Sequence, residues 1–274
     1  MTTSRNISSN YALTTNEEGS KALDIQQSIL SDETYKQLIK AGLAPGMNVW
    51  EYGCGNGAMA CELSHIVGYR GAVTAIDQST EQLDRVSSLA TERGLYNITA
   101  RPENLDTFMP PVHQADFVFG RYILMHLQNP KNVLKNIYSR LLKPNGIALF
   151  GETCWDETYT EGKYLDEFVR FRQSVIQLGH KKGVDYNLGA KLTSAMAELN
   201  FKSVQEEKVN FLYSGKTFVD LWSIRLKELS SELVEKKCAS KKEIEQWFSI
   251  ADELAKNPGN IVMHAPMYYV SGTV

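Results

Sequence analysis

Residues 51–57 read Glu51-Tyr52-Gly53-Cys54-Gly55-Asn56-Gly57, where Gly53 and Gly55 permit a tight turn and let backbone N–H groups approach a ligand closely. A helix beginning near Ala58 points its positive end at the same spot. Glycine spacing alone discriminates poorly, because Gly53-x-Gly55-x-x-Ala58 also satisfies a dinucleotide fingerprint, and a plain strand-to-helix turn needs no ligand. Asp77, at the end of the next apolar run, can accept from both hydroxyls of a ribose diol. A nicotinamide cofactor calls for the same acid, so two readings stand. Glu103-Asn104 supplies an acid and an amide for the exocyclic amine of an adenine, and Glu51 supplies a charge for a cationic amino group. Each of these acids alone is as readily a solvated surface residue. Taken with Asp77, they describe a compact nucleoside carrying an amino-acid tail.

The elements that position these residues follow from periodicity. Short apolar runs at 47–52, 72–76, 98–101, 115–120 and 147–151 read as strands, and helical patterns at 58–67, 79–93 and 130–142 fall between them. Ser79 is a candidate N-cap and Gly94 a stop. Alternation with short connections predicts an α/β fold with a parallel sheet covered on both faces. Ligand-binding residues then gather at the carboxyl ends of the strands. Residues 20–42 read as two helices, and the alternation stops after 151. Beyond it, 160–182, 190–199 and 217–256 read as helix, and 201–211 and 261–270 as strands. Three regions result: a helical lid at 1–43, a core at 44–151, and the last two strands at 152–274 with helical insertions at 152–185 and 215–257.

With 43% apolar residues, 22% charged residues and a net charge of -3, the chain is neither disordered by composition nor a basic nucleic-acid binder. No apolar run reaches membrane-spanning length, and the polar N-terminus lacks a signal-peptide core, so a cytoplasmic location with no membrane partner is expected. Cys54, Cys61, Cys154 and Cys238 lack Cys-x-x-Cys spacing and the five histidines show no ligand spacing, so thiols and no metal are expected.

The segments VWEYGCGNGAMA, AVTAIDQS, ARPENLD, ADFVFGRYILMHLQNP and LLKPNGIALFGE resemble, in order and spacing, the motif series of class I S-adenosylmethionine-dependent methyltransferases. The group it is similar to includes the ubiquinone and menaquinone C-methyltransferases. That resemblance implies a Rossmann-like sheet of seven mostly parallel strands with an antiparallel last strand. It also implies S-adenosyl-L-methionine as cofactor, with Gly53, Cys54 and Gly55 at its methionine part and Asp77 at its ribose. Gln78, Gln82, Glu103 and Asn104 would lie at the adenine side, and Gly120-Arg121 beside the sulfonium. Tyr11 and Gln26 would belong to a lid over the cofactor.

In this architecture the turn after the fourth strand faces the methyl group, which places Arg121, Tyr122 and His126 there. Histidine titrates near neutrality, so His126 is the first candidate for a general base, unless it is packed and satisfied by backbone. Arg121 could anchor a carboxylate or form a structural ion pair. Glu152 and Trp155 follow the fifth strand and should open onto the substrate, the acid orienting an amine or hydroxyl and the indole stacking on a ring or cation. Tyr122 shares that substrate side, and Tyr122 and Glu152 join His126 as catalytic candidates. Aromatic residues of the inserted helices, Tyr159, Tyr164, Phe168, Phe171, Trp222, Trp247 and Phe248, could line an apolar site or simply hold the cap together. The predicted chemistry is methyl transfer to a small molecule by in-line displacement. A nicotinamide-dependent oxidoreductase and a cofactor-binding protein that transfers no methyl group are the rivals.

Overall fold

Val49, Trp50 and Tyr52 are all buried, as befits a strand covered on both faces. They form β1 (Asn48–Tyr52) at the middle of one sheet in the computed structural model, which describes residues 17–274. After α1 (Glu17–Ala41) and β1 come α2 (Ala58–Val67), β2 (Ala72–Asp77), α3 (Thr80–Glu92), β3 (Ile98–Pro102), β4 (Ala115–Arg121), α4 (Pro130–Asn136) and β5 (Leu142–Thr153). The chain continues through β6 (Tyr159–Glu161), α5 (Leu165–Lys182), α6 (Leu192–Glu198), β7 (Lys202–Ser214), α7 (Gly215–Glu235), α8 (Lys241–Lys256) and β8 (Val262–Thr273). The sheet runs β3-β2-β1-β4-β5-β8, with β7 on the far side of β8. Neighbours from β3 to β5 are parallel, and β8 is antiparallel to β5, β6 and β7. Where the order reverses, between β1 and β4, a crevice opens at the strand ends.

Two elements differ from the expectation. An eighth strand, β6, arises because β5 pairs only with Met267–Thr273 of β8, leaving the start of β8 bare on that side. The chain doubles back so that Tyr159, Thr160 and Glu161 meet His264, Met263 and Val262, closing an exposed edge. At the N-terminus a single helix replaces the two expected, even though Ser31-Asp32 resembles a cap. Thr34 Oγ1 donates to the Leu30 carbonyl at 2.8 Å, so the polar residues bond within the helix. Ala22, Leu30 and Leu38 stay fully buried along one face.

Helices α5, α7 and α8 stand over the strand ends as a cap joined by aromatic edges: Phe168 meets Phe218 at 5.0 Å and Trp222 at 4.8 Å, and Phe171 meets Trp247 at 5.3 Å. Such pairs add about 0.5–1.5 kcal/mol each beyond burial. Among the described residues no helix is long and apolar enough to cross a membrane, and the four cysteines are free and buried.

Gly57 ends the glycine loop at φ 85°, and a Cβ there would lie 2.8 Å from Val86 Cγ2 and 2.9 Å from Val86 Cα. Backbone cannot give way as a side chain would. Gly57→Ala is therefore expected to cost about 2–4 kcal/mol in urea unfolding, combining left-handed strain with overpacking. An unchanged unfolding midpoint would show that α3 can move aside freely.

Candidate active site

The loop between β1 and α2 is held from below by its neighbours. Gly53 and Cys54 donate their N–H groups to the Ile76 carbonyl at 2.8 and 3.0 Å, and the Gly55 N–H reaches Asp77 Oδ2 at 3.0 Å. Asp77 Oδ1 takes the Ser79 N–H at 3.0 Å. Burial pushes the Asp77 carboxyl up, and these backbone donors offset part of that. Glu103 follows directly, its N–H on the Asp77 carbonyl at 2.9 Å and its carboxylate on Arg101 Nε at 2.5 Å. Asn104 Oδ1 accepts from the Asp106 N–H at 3.0 Å, so that amide already braces its own turn.

Across the crevice, the turn after β4 rests on Glu152. This carboxylate is wholly buried, with Oε1 accepting the N–H groups of Ile123 and Leu124 at 3.0 and 2.7 Å and Oε2 that of Met125 at 3.4 Å. Burial raises its pKa to about 8 against the pull of the three donors. Glu152 was expected to open onto the substrate; instead it lies beneath the turn, because only there can its oxygens meet three N–H groups. The turn thus fixed puts Ile123 against the glycine loop: a Cβ on Gly53, at φ 71°, would sit 2.6 Å from Ile123 Cδ1.

A cavity of about 220 Å³ runs from the glycine loop to the cap. Its sheet end is lined by Glu51, Gly53, Cys54 and Gly55, with Gln26 and Gln27 from α1 above. Glu51 is 3% exposed and its Oε2 has no hydrogen-bond partner among the described residues. Desolvation pushes its pKa to about 8, the Arg121 cation opposing and the Asp77 charge adding. Arg121 is itself engaged, donating to Thr34 Oγ1 at 2.7 Å and Gln27 Oε1 at 2.5 Å. Burial likewise raises the Cys54 thiol, so it stays protonated.

Toward the cap the walls turn aromatic. Tyr122, at φ 54°, shares a hydroxyl hydrogen bond with Tyr213. His126 meets Tyr186 edge-on at 5.6 Å, and Trp155 packs on the same ring at 5.6 Å. Desolvation, reinforced by the Arg225 and Lys182 cations, holds the His126 imidazole neutral with its pKa down at about 3. That is far below the near-neutral value on which a general-base role was premised.

Of the residues singled out by sequence, Gln26, Glu51, Gly53, Cys54, Gly55, Arg121, Tyr122, His126 and Trp155 share this cavity. Asp77, Gln78, Gln82, Glu103, Asn104 and Gly120 do not line it; Gly120 packs under Phe150 and Ile123. Tyr11 lies outside the described residues. Phe168, Phe171 and Trp222 reach the cavity, whereas Tyr159 stacks on His264 and Trp247 packs on Phe171. Sequence reasoning missed Gln27, Arg172, Tyr186, Tyr213 and Arg225. Gln27, Arg172 and Arg225 are signalled only by helical spacing, which does not say which face meets a cavity, while Tyr186 lies in a turn and Tyr213 near the end of β7, where spacing says as little.

Removing the Glu152 carboxylate would leave three buried N–H groups unpaired, at about 1–3 kcal/mol each. Glu152→Ala is expected to lose about 3 kcal/mol or more in urea unfolding. A loss below about 1 kcal/mol would mean that the turn stands without it.

Comparison with known proteins agrees with this geometry. A family model described as "Methyltransferase domain" matches residues 43–252. The chain is 31% identical over 105 residues to aklanonic acid methyltransferase DauC of Streptomyces sp. (strain C5), covering 38% of this chain and 47% of that one. It is 26% identical over 113 residues to the ubiquinone/menaquinone biosynthesis C-methyltransferase UbiE of Shewanella sediminis, covering 41% and 45%. The matches span less than half the length of the curated relatives. In fold it resembles the YcgJ protein of Bacillus subtilis, with a TM-score of 0.56 at 17% identity over 86% of this chain and 95% of the other. The chain thus belongs to the methyltransferase-domain family, the class I fold that draws its methyl group from S-adenosyl-L-methionine.

Proposed function

We propose that this protein transfers a methyl group from S-adenosyl-L-methionine to a small, largely apolar molecule in the cytoplasm. The observation that carries the reading is the unpartnered Glu51 oxygen, buried beside the glycine loop and facing one end of a cavity whose other end is aromatic. A buried carboxylate left without a donor is costly, and a ligand ammonium group supplies the missing partner. Glu51 then holds the amino group, Gly53 to Gly55 border the methionine part, and Asp77 offers its spare lone pairs to the ribose from behind the loop. Gln26 covers the site from α1.

When bound, S-adenosyl-L-methionine supplies an electrophilic methyl group on a sulfonium. The chain's own residues have to orient the acceptor in line with it and exclude water, and orientation is worth about 7–11 kcal/mol in favourable systems. Tyr122 and Trp155 bound the acceptor side. His126, neutral at physiological pH, serves as a hydrogen-bonding wall and not as a proton store. The Tyr122 phenol, kept protonated by burial, shares a hydrogen bond with Tyr213 that holds its ring in place. An acceptor that ionises readily fits this arrangement better than one needing a base.

Calorimetric titration with S-adenosylhomocysteine, followed by a mass-shift screen of acceptors, tests the proposal. Binding followed by the gain of one methyl group supports it; no response to the nucleoside sinks it, and binding without transfer favours a non-methylating role. Asp77→Ala is expected to weaken S-adenosylhomocysteine about tenfold or more, since it removes a charge-assisted acceptor from the loop and the ribose alike. Unchanged affinity would refute that placement.

The pH dependence has a definite sign. Below about pH 8 the free Glu51 carboxyl carries a proton, which must leave before an ammonium group can pair with it. S-adenosylhomocysteine affinity is therefore expected to rise from about pH 6 toward about pH 8, and to rise less in Glu51→Gln. Identical profiles in both proteins would remove Glu51 from the amino-group site.

A further inference from the structure

The cap end of the cavity holds two donors that nothing in the described chain satisfies. Trp222 is 4% exposed and its Nε1 has no acceptor. Its ring is fixed by Phe168 at 4.8 Å and Phe171 at 5.9 Å, both meeting it edge-on, so it cannot swing out to water. Arg172, next along α5 from Phe171, also lines the cavity; its Nε is buried without a partner, and it forms no ion pair among the described residues. Native proteins pair nearly all such groups, so two orphaned donors at one end of one cavity call for an acceptor from outside.

Charge points the same way. Among the described residues Glu51 is the sole acidic residue lining the cavity, and it lies at the opposite, glycine-loop end. The other charged lining residues are Arg121, Arg225 and Arg172. Arg121 is hydrogen-bonded to the neutral Thr34 and Gln27, and Arg225 is paired with Glu228 at 2.6 Å, which leaves Arg172 as the lining guanidinium with neither a hydrogen bond nor an ion pair among the described residues. A cationic acceptor would be repelled here, despite the aromatic walls that otherwise suit one.

We propose that the methyl acceptor carries a carboxylate, received by Arg172 and the Trp222 indole N–H, with its apolar body against Phe168, Phe218 and Leu221. This rests on the methyltransferase reading above and adds the substrate's charge to it. Arg172 and Trp222 are specificity residues remote from the glycine loop, so they should govern acceptor choice and leave cofactor affinity alone.

Naphthoate and naphthamide, equal in shape and different in charge, are suitable probes. Calorimetric titration of each, with and without saturating S-adenosylhomocysteine, is expected to favour naphthoate by about tenfold or more. Arg172→Met and Trp222→Phe should each shrink that preference while S-adenosylhomocysteine still binds as in the parent, which also certifies folding; Arg172→Gln serves if the methionine variant is unstable. Equal affinity for the two probes, absence of binding by both, or an undiminished preference in the variants overturns the inference. A parent protein that ignores S-adenosylhomocysteine yet prefers naphthoate would instead refute the cofactor assignment and spare this one.

Discussion

The carboxylate of Glu152 is the constraint on which the site's geometry depends. Burying it costs several kcal/mol in desolvation, and three N–H groups of residues 123–125 offset that cost. Their convergence on one side chain caps the single 3-10 turn Leu124–His126 that follows β4 and fixes where it sits. Ile123 is thereby pressed against Gly53 and Gly120, each too close to tolerate a Cβ. Tyr122 takes a left-handed conformation beside it and projects into the cavity with His126. A residue in contact with no part of the cavity thus sets where both of its sheet-side walls stand.

The cavity so formed is electrically lopsided. One buried acid stands near the glycine loop, and uncompensated positive charge and donors stand near the cap. In a low-dielectric space such charges act strongly on whatever enters. Once Glu51 has given up its proton it favours a ligand cation at its end, while the unpaired Arg172 guanidinium favours a ligand anion at the other. Neutral His126 and the protonated Tyr122 contribute dipoles without disturbing that polarity.

The succession of strands and helices around the glycine loop was legible in the sequence because it is written in short-range terms: apolar runs of strand length, glycines where φ is positive, and acids at strand ends. Asp77 and Glu103 were located rightly at successive strand ends, but their engagement with Gly55 and Arg101 was not visible, since spacing does not report which way a carboxylate turns. Glu152 failed for the same reason, its partners lying 27 to 29 residues away. Burial moved His126 from a neutral-pH base to a weakly basic wall, an effect of the whole surrounding fold. The cap was read as helical correctly, yet the choice between Phe168, which faces the cavity, and Trp247, which does not, is made by packing between helices distant in sequence. Strand β6 is too short to show a pattern at all.

Arg121 ties the end of β4 to α1 through Thr34 and Gln27, and Thr34 in turn meets the Tyr269 hydroxyl of β8 at 2.7 Å. Three elements far apart in the chain therefore complete one another's hydrogen bonding at a single buried junction. In folding terms the N-terminal helix and the sheet form one cooperative unit, because neither can open without stranding a guanidinium and a phenol. Amide exchange along α1 then reports the opening of the central strands as well as its own fraying.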